Sequence, residues 1–253
     1  MTVSLHTESE RLLVLIPAYN EEAVIHEVVS SVRQAVPHAD VLVVDDGSID
    51  STAQEAEVAG ALVVRHPFNL GIGGAVQTGL KFAKQEDYDI VVRLDGDGQH
   101  NPSDIPSLHS LLQSGHIDVV IGSRFLCATE RMHIPPVRRL GIYVFALVVS
   151  FLTGSRATDT TSGFLAMNRR AVKALAAYMP QDYPEVESRI VLHKAGLTTL
   201  ELPAQMRARL SGVSSINSWR SIYYALKVSV AVLVSALKDF PALPEEMANA
   251  NTD

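Results

Sequence analysis

A chain of 253 residues with 47% hydrophobic content is long enough to bury one large core and short enough for a single α/β domain with an appendage. Its one cysteine, Cys127, excludes an internal disulfide framework and, with no zinc-type Cys/His spacing, fits a reducing compartment. The net charge of −7 hides an asymmetry: residues 1–119 balance at −12 and residues 120–253 at +5, so one half suits a cation and the other suits phosphate or an anionic membrane surface, with nothing pointing to nucleic acid.

Met1 to Glu10 is polar and has no apolar signal core, so a cytoplasmic protein is expected. Leu12–Ile16 is a short apolar run ending at Pro17, and Val41–Val44 is another, ending in Asp45-Asp46-Gly47-Ser48. Both read as buried parallel strands with polar carboxyl ends. Between them, Ala23, Val24, Val28, Val29 and Val32 give Glu21–Ala35 a helical spacing. Further strands are predicted at Ala61–Val64, Ile90–Leu94 and Ile117–Ile121, and helices at Ser51–Ala59, Gly74–Lys84 and Pro106–Gln113. That alternation predicts a Rossmann-like, mostly parallel sheet with helices on both faces.

Past residue 125 the alternation weakens: Ser162–Met167 and Thr198–Leu202 read as strands, Arg169–Tyr178 and Glu185–Ala195 as helices. Leu140–Ser155 carries no charge, but its length falls short of the ~20 residues that span a bilayer. On a helix over Trp219–Phe240, Arg220, Lys227 and Lys238 fall within about 20° of one another, a narrow basic stripe on an apolar surface. Such a helix either lies in the membrane interface or packs on the domain or a second subunit. The expected divisions are a catalytic domain over 8–218, this amphipathic helix over 219–240 and a polar tail over 241–253.

Ligands in such sheets bind beyond the carboxyl ends of the strands, where Pro17-Ala18-Tyr19-Asn20-Glu21, Asp45-Asp46 and Asp95-Gly96-Asp97 all fall. Two carboxylates flanking a glycine can share one hard divalent cation, Mg²⁺ or Mn²⁺, which then neutralises a departing diphosphate; the same pattern also serves as a plain solvated turn. Asp45 is placed to accept from a base N–H or a ribose hydroxyl, whereas Ser48 or Asp50 can equally cap the next helix. Gly71-x-Gly73-Gly74 lacks the spacing of a dinucleotide fingerprint, leaving a ligand-contacting loop or a tight helix entry.

Taken together, the Pro17–Glu21 and Asp45–Thr52 segments, Asn69-x-Gly71-x-Gly73, Asp95-Gly96-Asp97-Gly98-Gln99-His100, Gly122-Ser123-Arg124 and Asp159-x-x-Ser162-Gly163-Phe164 occur in the order seen in family 2 glycosyltransferases, and the chain most resembles their dolichyl-phosphate mannose synthase branch. The resemblance implies a glycosyltransferase A fold and an inverting, metal-dependent transfer from GDP-mannose or a UDP-hexose to a polyprenyl or dolichyl phosphate. Pro17, Tyr19, Glu21, Val43, Asp45, Asp95, Gly96 and Asp97 would hold the nucleotide sugar, and Asp95, Asp97 and Gln99 the metal. Arg124 and Arg209 would hold phosphate groups, a job for which guanidinium forks are suited. Ser215 stands where that branch usually has lysine. Asp97, Arg124 and Asp159 are the catalytic candidates, with Glu185 and Glu187 as further candidate bases that cannot both line one site, being two apart on a helix. The implied setting is peripheral, at the cytoplasmic face of a membrane, with a membrane-anchored partner subunit or a second copy of the chain as candidate partners. Transfer to a glycan hydroxyl, a nucleotidyl transfer and a non-catalytic nucleotide-sugar-binding subunit are the rival readings.

Overall fold

The computed structural model describes residues 10–126, 136–180 and 184–207. Arg209, Ser215, the helix expected over 219–240 and the tail over 241–253 lie outside these described residues.

Seven strands make one sheet: β1 (Leu12–Ala18), β2 (Asp40–Asp45), β3 (Leu62–Arg65), β4 (Ile90–Arg93), β5 (Val119–Ser123), β6 (Leu165–Asn168) and β7 (Thr199–Pro203). Their spatial order is β3-β2-β1-β4-β6-β5-β7. The helices are α1 (Ile25–Ala35), α2 (Thr52–Val58), α3 (Ile72–Gln85), α4 (Ile105–Leu112), α5 (Pro136–Thr153), α6 (Arg169–Tyr178) and α7 (Pro184–Lys194). Each strand predicted from sequence is present, within a few residues of its expected ends.

The apolar run of β1 serves two faces at once, because successive side chains alternate. Leu12, Val14 and Ile16 pack with Val28, Val29 and Val32 of α1 and with Ile105 and Leu108 of α4. Leu13 and Leu15 face the other way, onto Val76 and Leu80 of α3 and Val172 and Leu175 of α6. A strand sandwiched by helices on both faces needs apolar residues throughout, hence the continuous run.

All neighbours pair in parallel except β6, which runs antiparallel to both β4 and β5. After β5 ends at Ser123, the chain passes through α5 and the 154–164 loop, and the Gly122 amide donates to the Phe164 carbonyl at 2.8 Å. The chain therefore re-enters the sheet on the side where β5 left it. Asp159, Ser162 and Gly163 are carried by this return to the same sheet edge as the carboxyl ends of the parallel strands.

Candidate active site at the carboxyl edge

The first two motifs are sewn together. The Asn20 amide donates to Ser48 Oγ (2.9 Å), the Glu21 amide to Thr52 Oγ1 (2.8 Å) and the Ile49 amide to Asn20 Oδ1 (3.0 Å). Asn20, at φ 54°, accepts a left-handed backbone that asparagine tolerates better than most residues. Gly47, at φ +75°, leaves no room for a side chain: a Cβ there would stand 2.7 Å from the Phe68 carbonyl carbon. The turn after β2 thus closes against the start of the glycine-rich loop.

Asp46, not Asp45, governs that loop. Its carboxylate accepts from the Leu70 and Gly71 amides at 2.9 and 2.8 Å and from His66 Nδ1, 2.7 Å away, while His66 Nε2 reaches Thr78 Oγ1 of α3 at 3.0 Å. A buried carboxylate satisfied by two amides and an imidazole fixes the entry to α3.

One cavity of about 340 Å³ is lined by Pro17, Ala18, Tyr19 and Glu21 from the end of β1, and by Asp46, Asn69, Gly71, Ile72 and Ala75 around the start of α3. Arg93, Asp95, Gly96, Asp97 and Glu185 complete it. The structure therefore brings Pro17, Tyr19, Glu21, Asp95, Gly96 and Asp97 to one place. Two residues expected to hold the nucleotide, Val43 and Asp45, are not among the side chains that line this cavity. Val43 is wholly buried among the core side chains on the α1 face of the sheet. Asp45 is also wholly buried and turned back: Oδ1 accepts from the Ser48 amide (3.0 Å), and Oδ2 lies 3.1 Å from half-exposed Arg65 Nε without hydrogen-bond alignment.

The Asp95-Gly96-Asp97 turn is held from behind. His100 Nδ1 accepts the Asp95 amide at 3.0 Å, and its ring stacks on Phe164 with centroids 5.2 Å apart. Burial holds the His100 pKa below its ordinary value against the pull of Asp95 and Asp97. A neutral ring accepting an amide makes the 3.9 Å approach of Nδ1 to the Asp95 carboxylate no ion pair. Asp97 Oδ1 accepts the Gln99 amide at 3.0 Å. Burial alone would raise the Asp95 pKa; the charge and hydrogen bond of Arg93 outweigh it and hold the group below the usual carboxylate value, so it is ionised at neutral pH.

Arg93 escaped the sequence reading because it sits inside the apolar run of β4. It is 2% exposed, and its Nη2 donates to Asp95 Oδ1 (3.2 Å) and to Glu185 Oε1 of α7 (2.7 Å). A charged residue inside a buried strand, two positions before a carboxylate turn, is the signal that identifies it.

No group of three His, Cys, Asp or Glu side chains among the described residues forms a protein-only metal cage. A divalent ion bound with a diphosphate does not need one, since phosphate oxygens and water complete its shell. Asp95 and Asp97 fit that use: both line the cavity, and Gly163 keeps the space beside Asp95 free, since a Cβ there would lie 2.6 Å from either carboxylate oxygen.

Arg124 and Asp159 form a fork, with Nε to Oδ2 at 2.7 Å and Nη2 to Oδ1 at 2.8 Å; the Arg124 amide adds a third bond at 3.1 Å. Burial would raise the Asp159 pKa, but the hydrogen bonds and charge of Arg124 hold it down. A wholly buried carboxylate paired with a guanidinium and held below its ordinary pKa is a weak base. Asp159 therefore orients Arg124.

Comparison with known proteins follows the same lines. An undecaprenyl-phosphate mannosyltransferase of Micrococcus luteus is 30% identical over 215 residues, covering 82% of this chain and 88% of its own. A UDP-N-acetylglucosamine–dolichyl-phosphate N-acetylglucosaminyltransferase of Methanococcus voltae is 31% identical over 211 residues, covering 76% and 84%. In fold, the chain matches glucosyl-3-phosphoglycerate synthase of Mycobacterium tuberculosis, crystallised with Mn²⁺, UDP-glucose and phosphoglyceric acid. That match has a TM-score of 0.68 at 24% identity and covers 92% of this chain and 82% of that one. The family model described as Glycosyl transferase family 2 matches residues 13–176, more than half the sequence and every strand and loop that lines the cavity up to Asp97, and the chain belongs to that family of glycosyltransferases.

Proposed function

We propose that the protein transfers a sugar from a nucleotide diphosphate, GDP-mannose or a UDP-hexose, to a polyprenyl phosphate at the cytoplasmic surface of a membrane, with Mg²⁺ or Mn²⁺ held at Asp95 and Asp97. The observation that carries the reading is the single cavity in which the Pro17–Glu21 loop and the ionised Asp95 meet. Tyr19, exposed at the cavity mouth, offers its ring to a base, and Glu21 lies beside it to accept from ribose or base. The divalent ion supplies charge neutralisation on the leaving diphosphate. Asp95, fixed by Arg93 and by the His100 contact to its amide, and Asp97, fixed by the Gln99 amide, hold their oxygens on one side of the cavity.

The acceptor class rests on two supports. The Micrococcus and Methanococcus relatives are named for lipid-phosphate acceptors. A phosphate monoester, with its second pKa near 6, arrives already ionised, which suits a site where the candidate base Asp159 is committed to Arg124.

Incubation with membrane lipids and labelled GDP-mannose, UDP-glucose or UDP-GlcNAc tests the reading. Label is expected in the organic phase only with Mg²⁺ or Mn²⁺ present, and Asp97→Ala is expected to lower it roughly a hundredfold or more. Label confined to water-soluble glycan rejects the lipid acceptor, transfer in excess chelator rejects the metal, and no donor turnover by either form rejects catalysis in favour of a binding subunit.

A further inference from the structure

Arg93 is an expensive residue to place where it is. Guanidinium is charged at any accessible pH, and stripping it of water costs several kcal/mol unless charge and hydrogen bonds replace the water. Here the replacement is incomplete: Nη2 alone serves both Asp95 Oδ1, at 3.2 Å, and Glu185 Oε1, at 2.7 Å, while Nε is buried without a hydrogen-bond partner. A salt bridge built for stability would present the guanidinium edge to one carboxylate, as Arg124 does to Asp159. Arg93 instead lines the cavity beside Asp95 and divides one nitrogen between that carboxylate and a second one from another element.

Charge counting gives the arrangement a purpose. Glu21, Asp46, Asp95, Asp97 and Glu185 bring five carboxylates to the cavity and Arg93 supplies one positive charge, at hydrogen-bond distance from the carboxylate a cation would use. Arg124 and Asp159 cancel each other nearby. A positive charge fixed beside Asp95 repels a cation arriving at the same carboxylate, and in a partly buried site that repulsion is screened far less than at the surface. A diphosphate entering with the ion restores the attraction.

We infer that Arg93 is a positioning residue that sets the cation affinity of the Asp95–Asp97 turn, loosening the grip on a bare divalent ion so that tight retention requires the donor's diphosphate, with Glu185 as the counter-charge that tunes the effect. The inference rests on the proposed metal site but not on the identity of sugar or acceptor.

Mn²⁺ binding, followed by the loss of the free-ion electron paramagnetic resonance signal, tests it without any turnover. The full chain is titrated with Mn²⁺ alone and again with saturating GDP or UDP. Arg93→Met is expected to bind bare Mn²⁺ about tenfold more tightly than the unaltered protein, and Glu185→Gln more weakly by a similar factor. The double variant restores the cavity's net charge and is expected to return to near the unaltered affinity. The gain from adding GDP or UDP is expected to shrink in Arg93→Met. A scaffold role alone gives the opposite result, weaker Mn²⁺ binding in Arg93→Met and weaker still in the double variant, and would overturn the inference. Should Arg93→Met fail to fold, the double variant decides, since it leaves no unpaired buried charge: charge tuning predicts near-unaltered bare-ion affinity there, and a scaffold role predicts weaker binding. If the unaltered protein holds no Mn²⁺ even with GDP or UDP, it is the metal assignment that falls.

Discussion

At Gly163 a side chain would occupy the space the Asp95 carboxylate needs, with a Cβ 2.6 Å from both oxygens. Asp95 is not free to swing aside, because Arg93 and the His100 contact to its amide hold it. Gly163→Ala is therefore expected to displace the carboxylate, lowering metal-dependent transfer by roughly tenfold or more while leaving the melting temperature nearly unchanged; a variant with normal transfer would show that the carboxylate moves without consequence. A second consequence sits at Asp159. Its folded pKa lies below the ordinary value of 3.8 because Arg124 outweighs burial, so its contribution to stability is fully present above about pH 4 and is lost as pH falls through the lower folded value. Asp159→Asn is expected to cost about 3 kcal/mol at neutral pH by stranding Arg124. Urea titrations should show that deficit constant between pH 5 and 8 and narrowing below pH 4. The two adjacent carboxylates at the end of β2 show where a residue-level reading runs short. Asp45 and Asp46 are indistinguishable in sequence, and only the register of β2, with Asp45 still paired beside Ala18 and Arg65, sends Asp46 outward to the loop.

Among the elements, α3 carries the most functional consequence for its packing. At Gly79 a Cβ would stand 2.1 Å from Leu15 Cδ1, so the helix lies directly on β1 with no side chain between them. The start of the same helix is tied to Asp46 through Gly71, and its middle to His66 through Thr78. Gly79→Ala is expected to destabilise by about 1–3 kcal/mol through overpacking and, by lifting the helix, to weaken nucleotide diphosphate binding. Chemical denaturation and calorimetry with GDP or UDP measure both; destabilisation without weakened binding would separate the packing from the loop. Apolar periodicity found each of these elements, since a strand covered on both faces and a helix with one apolar stripe leave different patterns. The direction of β6 was not legible, because side-chain alternation is the same for either direction and only the return of the chain past α5 sets it. Arg93 was hidden for a related reason: one charge in a five-residue apolar run leaves the strand reading intact, and its partner Glu185 lies on a distant helix.

Across the whole molecule, the acidic half supplies β1 to β4 and most of the cavity, while the second half covers its far side. The two are joined at the β4–β6 pairing and at Arg93–Glu185. Beyond α7, Phe145 and Val149 of α5 pack on Val186 and Ile190, and the opposite face of α5 leaves Tyr143, Val144, Leu147 and Phe151 exposed. Residues at i, i+1, i+4 and i+8 share one side of a helix, so this is a continuous apolar stripe one helix layer from the site. No helix among the described residues is long and apolar enough to cross a membrane. On the proposed function, the exposed stripe itself is where we propose contact with the lipid that carries the acceptor. Replacing Leu147 and Phe151 together by glutamate removes two large apolar groups and adds two charges of the wrong sign for an anionic surface. Co-sedimentation with phosphatidylglycerol–phosphatidylethanolamine vesicles is expected to fall by at least about tenfold, together with transfer into the organic phase, while GDP or UDP binding stays unchanged because neither residue lines the cavity. Vesicle binding that survives both substitutions would move the membrane contact away from α5.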